Sequence, residues 1–285
     1  MSGRYLKAPL SYVVARLSTS ALAELKSEQS IELQQSLSLL NYIHKETANT
    51  NQLNIEMLNS SVNKDELLTQ VKRTCFLDLH KTKAVVYDSN SIEIRTTSYT
   101  KYEDFMRELE SVRKAFLDAV PAYRKAIINE VTLSYVDIIV PTENYELKDF
   151  FAKNESALPL NAFGKRNGAL VLAKNEFNEI IDATHRVFLS IEQLPQKVRR
   201  FVPDFMVEPE TKFAMPIQLD HEPAQDSDLP YAVVSTLAAQ LFYEKYLGEV
   251  KCSELFNDSH KSCGETFKEI INRNVCDVVW EYKSK

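Results

Sequence analysis

Thr100–Val140 reads TKYEDFMRELESVRKAFLDAVPAYRKAIINEVTLSYVDIIV, a helix signal followed directly by a strand signal. Phe105, Leu109, Val112 and Phe116 recur at helical spacing and form one apolar stripe. Thr100 and Glu103 have the spacing of a capping box, in which the hydroxyl takes an orphan N–H of the first turn and the carboxylate reaches back. Pro121 stops the helix. From Ala126 to Val140 the period changes. β-branched residues accumulate, and Val131, Leu133 and Tyr135 share a face. A long amphipathic helix beside a long strand predicts helices packed against an antiparallel sheet, the α+β class.

Upstream, Ser11–Ser18 reads as a strand with both faces partly covered, and Pro9 precedes it where a missing N–H does no harm. Ala21–Glu28 reads as a short helix capped by Ser20. Residues 31–44 fit a strand or a helix equally well, while Leu53, Ile55 and Met57 alternate as a strand. Thr74–Leu79, Ala84–Tyr87 and Ser91–Thr97 form a meander, with Asp88-Ser89-Asn90 as turn residues.

Downstream, the pattern starts again. Glu143–Asn154 is a polar connection with a short helical piece, and Gly168–Ala173, His185–Gln193 and Thr211–Leu219 read as strands. Asp228 and Pro230 then resemble a helix start, Val233, Val234, Leu237, Leu241 and Phe242 a buried stripe, and Gly248 a stop. A final helix is expected over Gly264–Arg273. The expectation is two pseudo-repeated halves, 1–142 and 143–285, each with antiparallel strands followed by a long helix packed on the sheet, together forming one unit.

The 285 residues, 44% hydrophobic and 26% charged, suffice to bury a core without disulfides or metals. The net charge of -6 argues against a general polyanion binder, so nucleic acid is not expected as a partner. Only 5 glycines occur, against about 20 at average usage. Gly164-Lys165-Arg166-Asn167-Gly168 matches no phosphate-binding loop, which disfavours nucleotide folds. No apolar segment follows Met1–Ala8, and no run approaches the roughly 20 apolar residues that span a bilayer. A cytoplasmic protein with reduced thiols and no transmembrane segment is expected.

Several clusters invite chemistry. Asp220, His221, Glu222, Asp226 and Asp228 form an acidic loop able to offer a general base or oxygen ligands to a divalent cation; the competing reading is a solvated loop that caps the next element. Cys252, His260, Cys263 and Cys276 are zinc-type ligands without zinc-type spacing, which favours buried free thiols. Asp78 and His80 share one strand face, but Cys75 points to the other, so a nucleophile–base pair fails on geometry. Lys197, Arg199 and Arg200 beside Phe201 form a compact basic cluster with too few charges for single-stranded nucleic acid. No hydrolase elbow, zinc-protease or kinase signature is present.

Tyr5-Leu6-Lys7-Ala8-Pro9-Leu10, Tyr99 and Phe105 around the central helix start, Leu133-Ser134-Tyr135-Val136-Asp137 with Pro141 beyond, and the late Phe267 and Trp280 occur in that order. This arrangement resembles a sporadically distributed bacterial family of uncharacterised proteins. The resemblance spans most of the chain through short motifs. Arginines that the family carries near the central strand are Glu130 and Ser134 here, so no anion-binding role carries over to those positions. The family's patchy distribution implies accessory-genome cargo such as phage defence, and it supplies no activity.

The functional expectation is a non-catalytic binding or sensor protein that holds a partner protein or a small apolar ligand in a cleft between the halves. No catalytic residue, binding residue, metal ligand or cofactor is assigned. The alternative is a metal-dependent hydrolase or nuclease built on the acidic loop around His221.

Overall fold

The strand that closes the Thr100–Val140 stretch lies at the centre of the sheet. The computed structural model describes residues 3–53, 68–152, 172–219, 223 and 229–284. Its strands are β1 (Gly3–Tyr5), β2 (Leu10–Thr19), β3 (His44–Leu53), β4 (Leu68–Leu77), β5 (Lys83–Tyr87), β6 (Ser91–Thr96), β7 (Ile127–Ile139), β8 (Ala173–Ile180), β9 (His185–Pro195), β10 (Pro230–Tyr246) and β11 (Tyr282–Ser284). Its helices are α1 (Ser27–Leu39), α2 (Tyr102–Ala119), α3 (Cys252–Ile270) and α4 (Arg273–Val279). Among the described residues, nine strands form one antiparallel sheet in the order β3-β4-β5-β6-β2-β7-β10-β9-β8, and β1 pairs with β11. The α+β class is as expected.

One face of this sheet carries the helices. Val13, Ala15 and Leu17 of β2, Ile92 and Ile94 of β6, and Val131, Leu133 and Tyr135 of β7 form one cluster with Leu109, Val112 and Phe116 of α2 and Phe256 of α3. Burying each such side chain contributes about 1.5–3 kcal/mol, so the α2 stripe read from sequence is a principal anchor of the layer. A second cluster on the same face joins Ile139, Leu189, Ile191 and Val234 to Phe150 and Trp280. The opposite face is crossed by residues 196–219, an irregular strap. Its Phe201, Val202 and Met206 pack on Tyr12, Val14, Val136 and Val233, and its Phe213 on Cys75, Leu77 and Val86.

The largest correction concerns residues 230–246. The predicted second long helix is β10, paired with β7 on one side and β9 on the other. Both faces are covered, Ala232 and Val234 by the helix side and Tyr231 and Val233 by the strap side, so the apolar residues run continuously rather than alternating. Such a run mimics a buried helix. Gly248 closes a turn after β10 instead of ending a helix; its N–H donates to Arg124 O at 3.1 Å, and a Cβ there would lie 2.9 Å from that oxygen. Since β7 and β10 are neighbours, one sheet runs across residues 142 and 143, and the long helix that follows the second set of strands is α3 rather than 230–246.

Smaller differences have local causes. Residues 21–26 are irregular rather than helical, because the Ser20 hydroxyl accepts from Ile127 N–H at 3.0 Å instead of capping. The ambiguous 31–44 stretch is helical through Leu39. It ends at Asn41 (φ 70°), where Asn41 N–H donates to Ser38 O and Tyr42 N–H to Leu37 O, the two bonds of a Schellman motif. α2 starts at Tyr102 without the Thr100–Glu103 box; Glu103 and Asp104 in its first turn complement the helix dipole. β4 stops at Leu77 because the Asp78 carboxylate accepts from Thr82 Oγ1 and Lys83 N and turns the chain. Thr211–Leu219 is a 3-10 turn plus extended strap, not a strand. Its alternation is real, since Phe213, Met215, Ile217 and Leu219 all pack on the sheet, but it reports a covered face without ladder bonds. Ile55 and Met57 of the expected early strand, and Gly168–Val171 of the later one, lie outside the described residues. The helix predicted over Gly264–Arg273 is the second half of α3, which begins at Cys252, twelve residues earlier, and ends at Ile270.

Candidate functional site

A cleft of about 610 Å³ opens where β2 begins and β7 ends. Its walls come from both chain halves: Leu6–Ser11, Tyr99 and Ile138 from the first, Leu219 and Trp280 from the second. The β1–β11 pair ties the two termini together here, and the Tyr5 ring meets Trp280 edge to face at 5.4 Å while its hydroxyl donates to Asp277 at 2.8 Å. These bonds hold the end of α4 against the cleft. Polar groups make up about half of the wall, among them Lys7, Ser11, Thr97, Tyr99, Thr100 and Gln218. A cleft of this volume, its wall shared about equally between polar and apolar groups, is large enough for a small molecule.

Behind this wall lies a row of aromatic and ionisable groups. Tyr99 contacts Tyr135 edge to face at 5.8 Å. The Tyr135 hydroxyl lies 2.9 Å from Nδ1 of His260, whose ring stacks on Tyr102 at 4.0 Å. Burial holds the His260 pKa below its usual value and drives those of Tyr99 and Tyr135 up, Tyr99 to about 12. All three are therefore neutral near pH 7. Two residues beyond Tyr135 on the same face, Asp137 is 5% exposed, and its carboxyl group has no hydrogen bond or ion pair among the described residues. Burial pushes its pKa up to about 8, so it too is neutral near pH 7. Its ladder partner Leu10 and its neighbour Ile138 both line the cleft.

The opposite sheet face holds charges. Glu192 of β9, fully buried, accepts from Arg200 of the strap and lies 3.2 Å from Lys174 Nζ. Further along, Glu208 of the strap is gripped by Arg73 and Arg95. Burial alone would raise the Glu208 pKa, but the hydrogen bonds and charges of the two arginines hold it below the usual carboxylate range.

The sequence candidates are dispersed. Asp220, His221, Glu222, Asp226 and Asp228 lie outside the described residues. Cys252 and Cys263 sit on one helix, separated by about 16 Å of rise. Cys252 N–H donates to Glu110, the Cys263 thiol lies by Leu133 O and Thr236 O, and the Cys276 thiol by Phe150 O. Among the described residues no three His, Cys, Asp or Glu side chains are placed to share a metal ion. Burial raises all four thiol pKa values, those of Cys75, Cys263 and Cys276 to about 12, so they are poor nucleophiles near neutral pH. Cys75 is buried under the strap, while Asp78 shapes a turn and His80 is exposed in it. In the basic cluster, Arg200 is bound to Glu192 and Asp204, and Arg199 lies over the Phe201 ring. The sequence reading assigned no role to Asp137, Glu192, Glu208, Arg73 or Arg95. The available signal was parity: Asp137 is in phase with the inward-facing Val131, Leu133 and Tyr135.

No helix among the described residues is long and apolar enough to cross a membrane. No protein-family model matches the chain, and no curated protein matches it significantly.

Proposed function

We propose that this protein is a binding protein that holds a small molecule with an apolar body and polar groups in the cleft at the end of the sheet. The observation that carries this reading is the cleft itself, about 610 Å³ and walled by Leu6, Leu10, Ile138, Leu219 and Trp280. A ligand there would bury its apolar body against these side chains and orient a polar group toward Thr97 or Tyr99. The four thiols are protonated near neutral pH, and the hydroxyl bonded to His260 belongs to the buried Tyr135, whose pKa burial raises, which favours binding over turnover.

Native mass spectrometry of gently purified protein, joined to a thermal-shift screen of small apolar fragments, tests the reading. At least one retained or stabilising compound is expected, and Thr97→Trp, which fills the cleft from its rim, should abolish the effect while leaving the unliganded melting temperature within a few degrees. A screen in which nothing stabilises the wild type, or in which every hit still stabilises Thr97→Trp, sinks it.

A further inference from the structure

Under the strap, Arg16, Arg73 and Arg95 line one cavity of about 250 Å³, separate from the cleft proposed above. They stand on β2, β4 and β6, so the sheet fixes their backbones. Arg73 donates to both Glu208 oxygens, at 2.6 and 3.1 Å, and Arg95 donates to Oε2 at 2.7 Å. Glu208 belongs to no ladder; it lies between short 3-10 turns at Asp204–Met206 and Thr211–Phe213. Arg16 is less well served. Its nearest carboxylate oxygen, on Asp88, is 3.8 Å away, and its Nε is shut off from solvent with no hydrogen-bond partner. A buried donor left in this condition destabilises the fold, and an oxyanion placed against it would satisfy it.

Two guanidiniums that close on one carboxylate, with a third guanidinium beside them, match the geometry by which proteins take up carboxylate and phosphate groups. The cavity wall carries Arg16, Arg73 and Arg95 against Asp88, Glu93 and Glu208, three cations and three anions. Displacing Glu208 leaves an excess of one cation, which an incoming anion neutralises. We propose that this cavity is a binding site for a small molecule bearing a phosphate or carboxylate group, and that Glu208 is an internal competitor occupying the arginine pair until the ligand arrives.

Isothermal titration with inorganic phosphate and with succinate, at constant ionic strength, tests the proposal and separates the two head groups. Saturable binding of at least one is expected in the wild type. Glu208→Gln should strengthen it about tenfold by removing the competitor, and Arg16→Gln should weaken it about tenfold. Arg16 is 41% exposed at its side chain, so its substitution leaves the packing intact. Should Glu208→Gln not fold, the comparison of wild type with Arg16→Gln decides the matter. The proposal is overturned if neither anion saturates any folded variant. It is equally overturned if affinity is indifferent to both substitutions, the behaviour of an adventitious ion only.

Discussion

Asp137 stands in phase with Val131, Leu133 and Tyr135, a carboxyl group where the strand otherwise turns apolar or aromatic side chains inward. Removing a carboxylate from water without a partner favours its neutral form, and burial pushes this group from 3.8 to about 8. The unfolded chain releases this proton near pH 4, while the folded chain keeps it to about pH 8. Between those values the folded state binds more protons at this group, so its contribution to stability is greatest below about pH 4 and declines as pH rises to about 8, by at most about 1.4 kcal/mol per unit. Asp137→Asn removes this term. Urea unfolding at pH 5, 6.5 and 8 should show the variant gaining on the wild type as pH rises. Parallel pH profiles for the two proteins would refute the buried neutral acid.

Among the elements, α3 shows what weak local signals conceal. It runs from Cys252 to Ile270 through Ser253, Asn257, Ser259 and Gly264, residues of modest or poor helix propensity. Tertiary packing compensates, since Leu255, Phe256 and Cys263 are buried against α2 and the sheet. Gly264 is not needed for close approach: a Cβ there meets nothing within 4 Å. Gly264→Ala should therefore stabilise the protein by about 0.5–1 kcal/mol, read as a raised urea midpoint with an unchanged slope. A lowered midpoint would mean that the helix needs glycine at this position. β10 is the converse case, a segment whose local pattern is strong but names the wrong element.

At the scale of the whole molecule, the strap spans the sheet from the Glu192 end to the Arg73 end, and its tail at Gln218 and Leu219 reaches the cleft. Glu192 anchors one end: it is fully buried, and besides Arg200 it accepts from Asp204 N–H at 3.3 Å. Glu192→Gln takes the buried counter-charge from Arg200 and leaves it paired with Asp204 alone, at a cost of about 1–2 kcal/mol because Asp204 and solvent still serve the partly exposed guanidinium. Hydrogen exchange in the variant should accelerate across 198–207 more than across β7. Uniform acceleration everywhere would show that the strap and sheet unfold as one cooperative unit instead.

Local periodicity and turn chemistry by themselves determined the α+β class, the β4–β6 meander, α2 and its buried stripe, β7 and the apolar character of 213–219, because each of these is written in residues close in sequence. Tertiary structure alone decided that 230–246 is a strand between β7 and β9, that 211–219 is a strap without a ladder, and that Arg73, Arg95 and Glu208 meet. A run such as Tyr231–Leu241 buries its apolar side chains equally well as a helix or as a two-sided strand. The choice rests on which hydrogen-bonding partners flank it, and those lie about forty to one hundred residues away in the chain.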